Sequence, residues 1–194
     1  MFKKLFGLFT LIFAGTLATT KDADAVIVPD LPADTTPIPN EVKVMQVPFS
    51  GSLPRGIRNN NAGNLVQTNI QWQGKVPRAL NTDSRFEQFY LPEYGLRALI
   101  KDILNDYNVD GKKSVAALIS EFAPTFENNT AAYIQSVSNK LGVISTEDAR
   151  LNDPVNLIIF VKAVVDHENG NRNGWYDDET YLKALHLAGV DYGA

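Results

Sequence analysis

The chain has no cysteine, and among its 194 residues only His167 and His186 are histidines. The first absence excludes disulfides, thiolate metal sites and a cysteine nucleophile. The second leaves too few imidazoles for an ordinary zinc centre. No metal and no cofactor is expected. A cationic surplus is missing as well: 18 Lys and Arg stand against 22 Asp and Glu, for a net charge of −4. That balance weighs against a nucleic-acid partner, which needs a basic footprint on phosphate. A hydrophobic run of membrane-spanning length is also lacking. The longest apolar stretch, "LFGLFTLIFAGTLA" at residues 5–18, falls short of the roughly 20 residues that a transmembrane helix needs.

What is present divides into three parts. "MFKK" supplies a positive start, the apolar run follows, and "ADA" at residues 23–25 has the small-x-small pattern of a cleavage site. Residues 1–25 thus predict an export signal, or a membrane anchor through residues 5–18 if cleavage does not occur. Cleavage after Ala25 removes three lysines and two aspartates, leaving the chain one charge more negative than −4. Residues 26–53 carry five prolines in "VPDLPADTTPIPNEVKVMQVP" and little periodicity, as in an extended, semi-rigid tether. Residues 54–194 form the predicted domain. The chain's 44% hydrophobic and 21% charged residues are ordinary globular values, and ten Phe and seven Tyr suffice for one core.

The front of that domain is irregular. "RGIRNNNAGNL" at residues 55–65 has neither helical nor strand periodicity. "NLVQTNIQWQG" and "SRFEQFY" allow one or two short strands. From Pro92 the pattern is helical. "PEYGLRALIKDILNDY" spaces Leu96, Leu99, Ile100, Ile103, Leu104 and Tyr107 by threes and fours. Ser114 is placed to cap a short helix that Pro124 stops. "ENNTAAYIQSVSNKLGV" turns Tyr133, Ile134, Val137 and Leu141 inward and ends at Gly142. Asp153 with Pro154 opens a further helix, whose 157–165 run is apolar nearly all round except at Lys162. Such a helix is expected at the centre of the core. A last amphipathic helix closes at Gly189. The fold class is mostly all-α, with a loop-rich front.

The buried helix ends in "VVDHENG". A carboxylate at a helix C-terminus faces the negative end of the dipole, and partial burial adds to that; both raise its pKa, as a general acid requires. Glu168 is the candidate, with a solvated last-turn glutamate as the plainer alternative. Glu87, between Phe86 and Phe89's aromatic cluster, is its rival. Glu93, Glu121 and Glu127 read as cap or surface residues.

Most of the domain resembles a soluble lytic transglycosylase. The likeness rests on Gly95 with Leu99, on Ala116 to Phe122, and on Thr130, Tyr133, Ile134 and Val137. It also rests on "AVVDHENG", similar to that family's catalytic "A-I-I-x-x-E-S-G" helix with Asn169 in the serine slot. In that family the catalytic helix comes first. Here it follows the others, and the "G-A-x-G-L-M-Q" segment is absent, so the resemblance implies a circularly permuted, lysozyme-like globule. A second set of motifs is similar to phage virion-associated proteins described as peptidoglycan-digesting or structural. It comprises "RGIRNNN-x-GN" with Ala62 where proline is usual, then "W-x-G", "D-x-x-F", "G-x-RA" and "ENNT-x-x-YI".

These resemblances imply a peptidoglycan-cleaving enzyme, exported or virion-associated. The alternative is a non-catalytic structural or glycan-binding protein on the same fold. Glycan strands and virion proteins are the expected partners. Asn59, Asn60, Asn61 and Asn64 offer donors and acceptors to sugar groups, and Arg55 and Arg58 offer a fork for a carboxylate. Trp72, Tyr90 and Tyr133 offer flat faces to sugar rings. The same asparagines equally suit a turn-rich loop with left-handed residues.

Overall fold

The computed structural model describes residues 53–123, 130–170 and 172–192. The proposed signal, nearly all of the tether, and the Asn128–Asn129 cap region with Glu127 lie outside the described residues. Among the described residues the architecture is all-α, with helices α1 (Arg55–Arg58), α2 (Pro92–Asn108), α3 (Val115–Phe122), α4 (Thr130–Leu141), α5 (Pro154–Glu168) and α6 (Asp178–Ala188). No described helix is long and apolar enough to cross a membrane.

Local chemistry sets the helix ends. Ser114 accepts from Ala117 N–H at the start of α3. Asp153 accepts from Val155 N–H ahead of Pro154 in α5, and Asp177 from Thr180 N–H in α6. Each cap satisfies a backbone donor that the helix leaves unpaired. Gly189 ends α6 at φ 82°, a left-handed conformation natural to glycine.

Helix α2 packs along α6, α3 on α4, and α4 on α5. Phe160, Val161, Val164 and Val165 of α5 are fully buried with Leu99, Ile103, Leu118 and Leu151. Ile159 is only half-buried, so the apolar run is less uniform in burial than its composition implied.

The front loops have no extended strand among the described residues. Val66 pairs with Phe86, and Lys75 with Phe89, as isolated antiparallel bridges. Residues 85–90 bond residues 65–67 through Gln67 N–H to Arg85 C=O (2.9 Å) and residues 74–76 through Tyr90 N–H to Gly74 C=O (3.0 Å). A second, smaller apolar cluster of Leu65, Phe89, Tyr94 and Ala98 lies beneath them.

Candidate functional site

Two sides of the molecule collect the residues of interest. The first is the arginine–asparagine loop. Asn60 (φ 50°) and Asn64 (φ 47°) adopt left-handed backbone, which asparagine tolerates better than most side chains. Their side chains turn inward. Asn60 Nδ2 donates to Phe89 C=O at 3.0 Å. Asn61 Nδ2 donates to Leu65 C=O and Glu87 C=O, both at 2.9 Å, while its Oδ1 accepts from Leu65 N–H at 2.9 Å. Asn59 Nδ2 donates to Asp83 Oδ2 at 2.9 Å. Asn60 and Asn61 are fully buried, so their amides act as an internal backbone-pairing device.

Glycines let this loop dock. A Cβ on Gly95 would collide with the Asn60 carbonyl oxygen, so α2 approaches the loop with bare backbone. A Cβ on Gly56 would meet Asn169 Oδ1 at 2.5 Å and Asn64 Oδ1 at 2.8 Å. The loop is thereby fastened to the end of α5. Asn169 Nδ2 donates to Ala62 C=O at 2.8 Å, and Asn64 Nδ2 to Glu168 Oε2 at 3.2 Å. Glu168 is 7% exposed.

Arg55 is exposed, 3.4 Å from Asp83 and over the Phe86 ring. Burial pushes the Asp83 carboxyl up, but the Asn59 amide, the Arg85 and Phe86 N–H groups and Arg55 outweigh it, leaving Asp83 below its ordinary value. Arg58 is exposed. Trp72 lines a front cleft of about 320 Å³ with Gln67, Gln71, Arg78 and Glu87. Glu87 is 1% exposed there and accepts from Lys75 Nζ at 2.9 Å and Thr68 N–H at 2.8 Å. Tyr90 is half-buried beside the loop.

The second side is a groove between α4, α5 and residues 172–181. Two adjoining clefts, about 270 and 530 Å³, share Lys140, Asp166 and Asn173. Tyr133 lines the first, stacked on His167 with centroids 3.7 Å apart and planes within 6°. Burial and the neighbouring Asp166 push the Tyr133 hydroxyl far up. Burial also raises the Asp166 carboxyl, against the pull of Lys140 and Lys162. None of the three clefts is lined by Glu168. Asp166 was not among the sequence candidates. Residues two positions apart on an α-helix differ by roughly 200° around its axis, so Asp166 and Glu168 leave α5 on opposite faces. The 3.6-residue spacing carries that signal, but only the position of α4 shows which face meets solvent.

The described residues therefore bring Asn64 to Glu168, Trp72 to Glu87, and Tyr133 to Asp166, at separate places. No group of His, Asp and Glu suited to holding a metal is found among them. A helical domain with a polar front loop anchored to the end of its buried helix defines the class. No protein-family model matches the chain. It is 37% identical over 128 residues to Protein P5 of Pseudoalteromonas phage PM2, the match covering 64% of this chain and 76% of that protein. The chain belongs to the family of that phage protein.

Proposed function

We propose that the protein is virion-associated and acts on host peptidoglycan, cutting glycan strands with Glu168 as the single general acid/base. The observation that carries this reading is the Asn64–Glu168 hydrogen bond, made across 104 positions of sequence. It joins the arginine–asparagine motif to the "HENG" helix end, the two stretches on which the resemblances to wall-acting proteins rest. In this reading the helices form a lysozyme-like globule in permuted order. Residues 1–25 direct export or anchor the chain, and residues 26–53 tether the domain.

The chemistry follows from one carboxyl group. Protonated Glu168 gives its proton to the oxygen leaving muramic acid. As carboxylate it then takes the proton of the muramyl 6-hydroxyl, whose oxygen closes an anhydro ring on the anomeric carbon. The proton is thus returned and no second carboxylate is needed, unlike the paired scheme of most glycosidases. Purified protein incubated with peptidoglycan sacculi is expected to release anhydro-muropeptides. Glu168→Gln is expected to abolish release at unchanged thermal midpoint. Retained release in Glu168→Gln sinks the assignment, and loss only in Glu87→Gln, at unchanged melting, moves the acid to the front cleft.

A second reading is a non-catalytic structural or glycan-binding protein on the same fold. It is favoured by the 7% exposure of Glu168 and by the inward-turned amides of Asn60 and Asn61. Binding to sacculi without release of any muropeptide selects it.

A further inference from the structure

The groove of Asp166 lies on the opposite face of α5 from Glu168 and takes no part in the reaction above. It gathers polar groups with no direct bonding partner among the described residues. The Asp166 carboxylate makes no hydrogen bond or ion pair with any described residue, and neither does the Lys140 ammonium. Lys162, by contrast, is taken by Asp178 at 2.7 Å. The Tyr133 and Tyr176 hydroxyls, on residues 5% exposed, are buried with no hydrogen-bond partner in the described structure. Those two hydroxyls are sealed from solvent, whereas Asp166 and Lys140 line the cleft; Lys140 pulls on the Asp166 carboxyl without a direct bond to it, so a ligand seated there can bond to both.

We propose that this groove binds an acidic saccharide, an amino-sugar bearing a carboxylate. The carboxylate meets Lys140 Nζ. Ring hydroxyl and amide N–H groups donate to Asp166, and Asn173 offers both donor and acceptor to the remaining groups. The apolar face of the ring lies along Ile159 and Tyr181, which line the wider part. A carboxylate set beside an ammonium suits a ligand with donors at one end and negative charge at the other. It does not suit a wholly neutral glycan. The choice of saccharide rests on the cell-wall reading; the cleft with its two charged groups does not.

Calorimetric titration of the full-length protein with N-acetylmuramic acid, and separately with the neutral N-acetylglucosamine trimer, tests this. N-acetylmuramic acid is expected to bind saturably, and the neutral trimer at least about tenfold more weakly. Asp166→Asn and Lys140→Glu are each expected to weaken N-acetylmuramic acid binding by about tenfold or more, the fold-change that one charge-assisted hydrogen bond commands. Arg78→Ala, in the front cleft, is expected to leave binding unchanged. Thermal melts confirm that each variant is folded. Absence of saturable binding, equal affinity for the neutral trimer, or binding untouched by both groove substitutions overturns the proposal. Muropeptide release without N-acetylmuramic acid binding removes the groove and leaves the cut. Groove-dependent binding without release does the reverse.

Discussion

Two carboxylates two residues apart have opposite surroundings. Glu168 is buried against an amide that donates to it. Asp166 is partly desolvated, with its carboxyl raised by burial. The sign for stability follows from linkage. A carboxyl whose folded pKa lies above its unfolded value near 3.9 destabilises the fold when ionised. That penalty is fully present at neutral pH and is relieved as pH falls through the folded pKa. Asp166→Asn is therefore expected to melt no lower than the unchanged protein at pH 7, with any advantage shrinking towards pH 4 in a pH series of thermal scans. A clear loss at pH 7 means that Asp166 has a structural partner. Asn61 is the opposite case. Its amide serves three backbone groups in the interior, so Asn61→Ala is expected to cost about 2–5 kcal/mol in urea unfolding, from several buried groups each losing its partner.

At the scale of elements, α5 was legible because its start and its apolar content are both local. Asp153 and Pro154 mark where it begins, and the 157–165 run marks it as buried. Periodicity did not separate the neighbours Ile159 and Phe160, because the run is apolar nearly all round. Packing separates them: Phe160 is fully buried, while Ile159 lines the groove. Phe160→Ala is expected to cost about 3–5 kcal/mol through the cavity it leaves, and Ile159→Ala distinctly less. Equal shifts in denaturant midpoint would contradict this placement. The front loops were legible only as irregular. Their bridges join residues 66 to 86 and 75 to 89, pairings that no local propensity announces.

For the whole molecule, the chain belongs to the family of a phage protein, and the charge of −4 is consistent with a partner other than nucleic acid. The N-terminal reading remains a proposal with a direct test. We expect material recovered after export to begin at Val26, as intact-mass analysis would read. A chain still carrying Met1 in the membrane fraction would establish an anchor instead.

By itself the sequence determined the helical class, most helix ends, the core stripe of α2 and the absence of thiol chemistry. Each depends on neighbours within a turn or two: a cap and its N–H, a proline, a leucine four places on. Only the tertiary structure decided what the asparagine run is for, since Asn60 and Asn61 find their partners at residues 87–90. It likewise decided that Glu168 faces the loop while Asp166 faces a groove. Helical spacing puts the two on opposite faces, but which face is covered depends on segments far away in the chain. The loop that covers Glu168 and the α4 helix that walls the groove are joined to α5 by packing, and packing has no period that a sequence can display.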